Sequence, residues 1–264
     1  MVATKSWLEM SNIDLILNNH KILSNISLNI KYGENTVILG PNGSGKSSLI
    51  KIINRNLYPI IKKDSYLKLF SKSTINIWDL RLKVGFVLNE LQNRISIYEK
   101  VNSVILSGFF GTTGIFKYTK VTDSHLERVE RVKTDLNISD ISMKYYGELS
   151  EGQKRIILIA RALVNNPEIL VMDEPTYNLD YKAKYLLLDI LSYLAQNNTT
   201  LLIVTHQPED IIKEISKIIM LKSGSIYFDG TKKDAMSPQV ISNLFDYPLE
   251  LLIDHKSFFH IVPK

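Results

Sequence analysis

Hydrophobic and polar positions alternate near the start of the chain, as they do in half-buried strands. Within residues 7–39, the segments LEMSNIDLIL and ILSNISLNI follow this alternation, which predicts an antiparallel β layer. The later run TVILG is apolar throughout, which is typical of a strand buried on both faces of a parallel sheet. Residues 65–88 return to an extended pattern that ends in KVGFVLN. The first third of the chain is therefore predicted to be rich in strands.

The pattern becomes mainly helical between about residues 90 and 149. Residues 126–136 have helical charge and apolar spacing, and GFFGTTGIF at residues 108–116 is a glycine-rich aromatic segment. From residue 150, helices and strands alternate, which predicts a parallel sheet with helices on both faces. The predicted elements are a helix after residue 150, EILVMD, the helix KAKYLLLDILSYLAQ, TTLLIVTH, the helix PEDIIKEI, KIIMLKSG and SIYFDG. The tail IDHKSFFHIVPK is interpreted as a final packed strand.

Composition narrows the class of protein. The 264 residues are 45% hydrophobic and 22% charged, so a packed core is expected. The net charge of +5 is spread along the chain, which favours an ordinary solvated surface over nucleic-acid binding, and a basic face toward anionic lipid is also compatible. The absence of cysteine excludes disulfides, thiolate metal sites and a cysteine nucleophile. No apolar run reaches ~18 residues, so a partner chain is expected to supply any membrane span.

A glycine-rich loop supplies the first candidate chemistry. The run GPNGSGKS matches G-x-x-x-x-G-K-[ST] and lies between an apolar strand and a predicted helix, as this motif requires. Its glycines allow several backbone N–H groups to face one anion, Lys46 adds a charge for the β- and γ-phosphates, and the Ser47 hydroxyl suits Mg²⁺. The motif therefore predicts nucleoside triphosphate binding. The predicted binding residues are Gly40, Pro41, Asn42, Gly43, Ser44, Gly45, Lys46, Ser47 and Ser48.

Acidic and histidine residues follow two later apolar strands. Asp173 is interpreted as a magnesium ligand acting through water, and Glu174 as the general base that polarises the attacking water. Alone, this acidic pair before Pro175 would be interpreted as a turn, but the phosphate loop favours the functional interpretation. His206 ends the strand LLIVTH. It is either an ordinary turn residue or a residue whose ring nitrogen hydrogen-bonds the γ-phosphate. Asp180, which follows the acidic pair, is either part of the candidate site or only the cap of the next helix.

The ordered set of motifs resembles the ATP-binding subunit of an ABC transporter, over essentially the whole chain. GPNGSGKSS is similar to the Walker A motif, ILVMDE to Walker B, NLD with Asp180 to the D-loop, and TH with His206 to the switch histidine. LSEGQ, the most specific of the motifs, is similar to the signature and comprises Leu149, Ser150, Glu151, Gly152 and Gln153. GFVLNELQ, SVILSGFFG and FDYPLEL are similar to the molybdate or iron-complex import branch.

This resemblance implies a fold and a domain organisation. The expected fold is an α/β P-loop NTPase core of the ABC type, with an antiparallel β layer and a mainly helical insert subdomain. The chain would be one ABC ATPase domain, with its catalytic core at residues 1–89 and 150–264 and its helical subdomain at about residues 90–149.

Four positions depart from the family pattern. The glutamine that contacts Mg²⁺ and the attacking water aligns by strand position with Asn89, whereas Gln92 lies three residues further on, and we favour Gln92 because the loop can bulge. Leu17 stands where many members place an aromatic residue under the adenine. Ser48 stands where threonine is common. Glu151 stands where glycine is usual, and we predict that its carboxylate points away from the triphosphate, which would repel it.

The resemblance also implies an activity and partners. It implies ATP hydrolysis with Mg²⁺, powering transport, with import as the expected direction. The expected assembly is a head-to-tail homodimer or a pair with a related chain, bound to integral membrane permease subunits on the cytoplasmic face. A solute-binding protein is expected as a further partner, and no nucleic acid is expected.

Phe109, Phe110 and Phe116 would either receive a coupling element of a membrane subunit or form the core of the insert. The alternatives are a soluble ABC-type ATPase switch acting on ribosomes or nucleic acid, and a nucleotide-binding regulatory module with weak turnover.

Overall fold

The computed structural model describes residues 5–255 and 258–264. Its strands in chain order are β1 (Ser6–Leu17), β2 (His20–Lys31), β3 (Thr36–Leu39), β4 (Tyr66–Leu69), β5 (Val84–Val87), β6 (Ile169–Asp173), β7 (Thr200–Thr205), β8 (Lys217–Lys222), β9 (Ser225–Thr231), β10 (Leu249–Ile253) and β11 (Phe259–Pro263). Its helices are α1 (Lys46–Ile53), α2 (Ile77–Lys83), α3 (Asn89–Gln92), α4 (Val101–Leu106), α5 (Asp123–Asp135), α6 (Glu151–Leu163), α7 (Tyr181–Gln196), α8 (Lys232–Ala235) and α9 (Pro238–Phe245).

The chain forms two compact units. The first comprises the residues up to Ile77 together with Thr200–Lys264, and the second comprises Trp78–Thr199. The predicted helical segment at about 90–149 lies inside the second unit, where it consists of helices and short 3₁₀ turns in the structure. The domain boundaries expected from the resemblance stay a prediction.

The first unit contains two layers of strands. Strands β2, β1 and β4 form an antiparallel sheet in that order, which confirms the antiparallel layer predicted from residues 7–39. Strand β3 pairs in parallel with β7 on one side and with β8 on the other, and β9 is antiparallel to β8. All four residues of β3 are buried, as its uninterrupted apolar pattern predicts. The parallel pairing brings the carboxyl ends of β3 and β7 to the same edge of the sheet.

The second unit is arranged around α6. This helix packs against α4, α7 and β5, and β5 pairs in parallel with β6. Its apolar face is buried at Ile156, Ile157, Ala160 and Leu163, and Val164 directly after the helix is buried as well. Gly108 allows the turn after α4 to approach α6 closely, because a Cβ atom at this position would lie 2.1 Å from the carbonyl oxygen of Arg161.

Two predicted elements are wrong. Residues 65–88 are not extended throughout, since α2 lies between β4 and β5 and buries a single residue, Leu80. The predicted helix PEDIIKEI is only a 3₁₀ turn at Pro208–Asp210. Asp210 is buried there and accepts a hydrogen bond from Thr205 Oγ1 at 2.6 Å, so a local bond back to the end of β7 takes the place of continued helical geometry. The C-terminal tail does form a strand, β11, which pairs with β10 in an antiparallel hairpin.

Candidate functional site

The glycine-rich loop joins β3 to α1, as predicted. Gly43 and Gly45 have φ values of 79° and 100°, a left-handed backbone conformation that glycine adopts without steric cost. Gly40 lies against β8, where a Cβ atom would be 2.2 Å from the carbonyl oxygen of Leu221. Both the loop curvature and this close approach therefore require glycine. Gly45 is the N-cap of α1 and offers no side-chain cap, so the first turn of the helix is open to an anion.

Lys46 is held inside this loop. Its side chain is buried, and Nζ donates to the carbonyl oxygens of Gly40 at 2.8 Å and Pro41 at 3.0 Å. Ser47 is exposed, Ser48 is half-buried, and the buried Oγ of Ser44 has no hydrogen-bond partner among the described residues. A buried cation, open backbone donors and an unpaired hydroxyl suit a bound phosphate group.

His206 lies in the same unit, directly after β7. The backbone N–H of Gly40 donates to the carbonyl oxygen of Thr205 at 3.3 Å, which places the residue before His206 beside the first glycine of the loop. Thr205 is fixed in turn, because its hydroxyl donates to Asp210 and accepts from the backbone N–H of Gln207 at 3.0 Å. The phosphate loop and the predicted switch histidine are therefore at the same edge of one sheet.

The acidic pair lies in the second unit at the end of β6. Asp173 is the last residue of the strand, and Glu174 follows it with a φ of 48°. This left-handed conformation is uncommon outside glycine and costs roughly 1–3 kcal/mol, which structures tolerate most often at functional sites. Asp180 is the N-cap of α7, where Oδ1 accepts from the backbone N–H of Ala183 at 2.8 Å. This confirms the capping role that the sequence left open for Asp180.

The LSEGQ segment forms the start of α6. Ser150 and Gln153 cap each other, with Gln153 N donating to Ser150 Oγ at 3.3 Å and Ser150 N donating to Gln153 Oε1 at 3.0 Å. Ser150 and Gln153 thus form a reciprocal capping box, and Leu149 is buried just before it. Gly152 is buried against the first turn of α7, since a Cβ atom there would lie 2.6 Å from Cβ of Ala183.

The two candidate amides of α3 have different partners on α6. Gln92 Nε2 donates to Glu151 Oε2 at 2.6 Å, and Asn89 Oδ1 accepts from Arg155 Nη1 at 2.5 Å. Glu151 also accepts from Lys154 Nζ at 2.8 Å, and the hydrogen bond from Lys154 keeps the pKa of this carboxyl below its ordinary value. The side chains of Glu151 and Gln92 therefore form one small polar network.

Arg155 and Tyr146 lie close enough to this network for their charges to interact with Glu151, and the sequence reasoning missed both. Arg155 is 5% exposed, and burial lowers the pKa of its guanidinium. Burial, followed by the charge of Glu151, raises the pKa of the Tyr146 hydroxyl. The only sequence signal for Arg155 is a charged residue inside the apolar face of a helix, since its partner Asn89 is 66 residues away along the chain.

Leu17 and two phenylalanines of the aromatic segment have positions that indicate packing roles. Leu17 is the half-buried last residue of β1, opposite His20 in a hairpin. Phe109 and Phe110 pack around the ring of His125, at centroid distances of 4.5 and 5.3 Å, whereas Phe116 is 63% exposed. The aromatic segment therefore divides into a half-buried pair packed on His125 and one exposed ring.

Comparisons with known proteins extend this picture to the whole chain. A family model described as ABC transporter matches residues 23–177. An ABC transporter ATP-binding protein of Streptococcus mutans is 32% identical over 96% of this chain and 97% of its own length. The zinc uptake system ATP-binding protein ZurA of Listeria monocytogenes is 30% identical over 96% of this chain and 94% of its own length.

Solved structures have the same fold. A chain of an ABC transporter in an inward-facing conformation has a TM-score of 0.81 and 24% identity, with 98% of each chain covered. The ATP-binding cassette MJ0796, solved as a dimer bound to ADP and phosphate, has a TM-score of 0.69 and 25% identity over 85% of this chain and 98% of its own. The fold, the motif order and these similarities agree, and the chain therefore belongs to the ABC transporter family as an ATP-binding subunit with an ABC ATPase fold.

Proposed function

We propose that this chain hydrolyses ATP and that the hydrolysis powers transport of a substrate, in the import direction, through separate membrane subunits. The observation that carries the proposal is the phosphate loop with Lys46 inside it, at the sheet edge that also presents His206. Lys46 would bind the β- and γ-phosphates, and the backbone N–H groups of Gly43, Gly45 and the first turn of α1 would surround them.

We propose that oxygen atoms hold Mg²⁺ in this protein. Within residues 5–255 and 258–264, no group of three His, Cys, Asp or Glu side chains is placed to bind a metal ion. The Ser47 hydroxyl, the Asp173 carboxylate and the Gln92 amide are oxygen donors of the type that Mg²⁺ prefers, and nucleotide phosphates would complete its shell. When bound, the ion stabilises the charge that develops on the phosphates.

The chemical step is assigned to two residues. Glu174 would accept the proton of the attacking water or orient that water, and its left-handed backbone holds the carboxylate directly after β6. His206 would donate a hydrogen bond to the γ-phosphate from the edge where the phosphate loop begins. Each of these roles rests on the motif that the residue matches and on its position at the end of a strand.

We further propose a dimer in which Leu149–Gln153 of one chain contact the ATP of the other. The chain has one phosphate loop and one LSEGQ segment, and the similar cassette MJ0796 was solved as a dimer. In the proposed contact, the Ser150 hydroxyl, the backbone of Gly152 and the N-terminal dipole of α6 face the γ-phosphate. The partner is a second copy of this chain or a related ATP-binding chain.

Exposed apolar side chains of the second unit support a membrane partner. Phe116 is exposed, and Trp78, which is 56% exposed, lies near the loop after Phe110, at 3.7 Å from an ideal Cβ of Gly111. We propose that these exposed side chains contact a coupling element of integral membrane permease subunits, on the cytoplasmic face of the cell membrane. Among the described residues, none of the helices is long and apolar enough to cross a bilayer. The name of the related zinc uptake protein supports import, with a solute-binding protein as a further partner.

Recovery of the native complex tests the transport part of this proposal. The chain would be isolated from membranes of its own cells, and the co-purifying proteins would be identified by mass spectrometry. We expect a multi-span membrane protein in stoichiometric amount. Ribosomes or nucleic acid in its place would support a soluble ATPase switch, which no feature of the described residues favours.

Phosphate release by the purified chain with ATP and Mg²⁺ tests the enzymatic part. We expect Lys46→Ala to lower the rate by about 100-fold or more, because it removes the charge aimed at the transferred phosphate. Lys51→Ala is a matched control, since this lysine is in the last turn of the same helix. A wild-type rate equal to that of Lys46→Ala, with both proteins folded, would reject hydrolysis as the activity.

A further inference from the structure

The signature segment of this chain carries an acidic side chain in direct contact with α3. Glu151 is the first residue of α6, and its side chain is 54% exposed. Its two carboxylate oxygens have different partners, since Oε2 accepts from Gln92 Nε2 at 2.6 Å and Oε1 accepts from Lys154 Nζ at 2.8 Å. The carboxylate thus joins the signature helix to the segment that holds the candidate metal ligand Gln92.

This contact fixes the orientation of the Gln92 amide. With Nε2 on the carboxylate, Oε1 points elsewhere, and the reversed amide would bring two electronegative oxygens together. Oε1 is buried and has no hydrogen-bond partner among the described residues. An unpaired buried acceptor is unfavourable, so the bond to Glu151 stabilises a conformation that Gln92 would otherwise leave. A buried oxygen also has no access to an ion, so Gln92 must swing out before it can serve one.

Asn89, the other candidate, accepts a hydrogen bond from the buried guanidinium of Arg155. Its Oδ1 accepts from Arg155 Nη1 at 2.5 Å, and this amide oxygen is the atom that would have to ligate a metal. The Arg155 side chain is buried, and its Nε has no hydrogen-bond partner in the described part of the chain. Withdrawing Asn89 would leave the guanidinium with still fewer partners in a low-dielectric site. Of the two amides, Gln92 is therefore the one that can be released.

We propose that Glu151 is a positioning residue that holds Gln92 on the signature helix until nucleotide and metal are bound. The proposal rests on the proposed function, because it assigns the metal-side role to Gln92. Release of Gln92 breaks one charge-assisted hydrogen bond, so the bond opposes hydrolysis in the resting subunit. It also explains how an acidic residue can occupy this position: its charge is directed to Lys154 and Gln92.

Hydrogen exchange of the full chain without nucleotide tests the contact independently of activity. We expect Glu151→Ala to speed exchange of the backbone amides of residues 89–93 by about 10-fold, the factor that corresponds to about 1.4 kcal/mol of hydrogen-bond free energy. Gln92→Ala should have the same effect, and the double variant should add nothing further. Glu127→Gln is the control, because Glu127 is an exposed residue of α5 paired only loosely with Arg131, at 3.9 Å.

The ATPase rate provides the second measurement. We expect Glu151→Ala and Glu151→Gly to raise the basal rate and to lower the Mg²⁺ concentration at half-maximal rate, and neither change should occur when Gln92 is alanine. Equal exchange in Glu151→Ala and Glu127→Gln, or additive effects in the double variant, would overturn the proposal. Faster exchange in a protein without ATPase activity would keep the contact and reject the proposed function instead.

Discussion

Asp14 in β1 is the centre of a small charged cluster in the antiparallel layer. Its carboxylate lies 2.8 Å from Lys62 Nζ and 3.2 Å from Lys21 Nζ, and it accepts from the backbone N–H of Asn25 at 2.7 Å. The hydrogen bond from Lys62, then that from Asn25, lowers the pKa of Asp14 from 3.8 to about 2. The side chain is 14% exposed, so water screens these interactions only in part.

This cluster predicts how stability depends on pH. A pKa that is lower in the folded state stabilises the protein above about pH 4, and the contribution is lost as the pH falls toward 2. We expect Asp14→Asn to lower the free energy of unfolding by about 1–2 kcal/mol at pH 7, with the difference from wild type shrinking between pH 4 and pH 2. Urea unfolding at several pH values measures this. Asp64→Asn, at an exposed aspartate, is the control, and a pH-independent difference for Asp14→Asn would contradict the prediction.

At the residue scale, local motifs could be predicted from the sequence and long-range pairs could not. The capping of Ser150 by Gln153 and the loop around Lys46 depend on neighbours within a few residues, so spacing alone defines them. The partners Gln92 and Glu151 are 59 residues apart. Nothing in either local pattern specifies the other, because their contact arises only when α3 packs beside α6.

The contact between the turn after α4 and α6 leads to a prediction at the element scale. Because a Cβ at Gly108 would lie 2.1 Å from a backbone oxygen and 2.7 Å from Val164 Cγ2, alanine there must separate the two elements. We expect Gly108→Ala to lower the free energy of unfolding by about 2–4 kcal/mol, as overpacking against backbone does. Thermal unfolding followed by circular dichroism measures this.

Gly33 provides the matched comparison for this variant. It has a φ of 74°, and a Cβ there would meet nothing within 4 Å, so Gly33→Ala suffers backbone strain without a clash. Its expected cost is about 1 kcal/mol. Equal losses of stability in the two variants would show that α6 yields easily to the added methyl group.

Predicted and observed elements differ where tertiary contacts decide the geometry. Strand β3 and helix α7 were predicted because an unbroken apolar run and a long amphipathic pattern are strong local signals. The segment after His206 also has helical spacing, but Ile211, Ile212 and Ile215 are all buried, and Asp210 is held by Thr205. The three isoleucines would share one helical face, but the backbone leaves the helical region at Ile211, with φ −81° and ψ 87°, so the turn ends after Asp210.

For the whole molecule, the proposed head-to-tail dimer leads to a complementation experiment. Lys46→Ala removes the phosphate-loop charge, whereas Ser150→Arg places a bulky cation at the start of α6, where the serine is exposed. Each variant alone should be inactive. In a mixture, a heterodimer retains one intact site, so we expect about one quarter of the wild-type ATPase rate when half of the dimers are mixed.

The same experiment contains its own control. Mixing Lys46→Ala with Glu174→Gln should restore nothing, because Lys46 and Glu174 are both proposed to act on the nucleotide that their own chain binds. Each of the two sites in the mixed dimer then lacks one of these groups. Full inactivity of the Lys46→Ala and Ser150→Arg mixture, with heterodimers present by mass spectrometry, would argue against sites shared between chains.

The position of Lys46 has a thermodynamic consequence. Its ammonium group is already removed from water and bonded to the carbonyl oxygens of Gly40 and Pro41. An arriving phosphate therefore meets a cation that has lost most of its hydration shell before the encounter, and the loop does not have to fold around the ligand. When phosphate enters, Lys46 exchanges these carbonyl oxygens for phosphate oxygens within a loop that is already formed. We therefore expect fast association and a small change in heat capacity on binding.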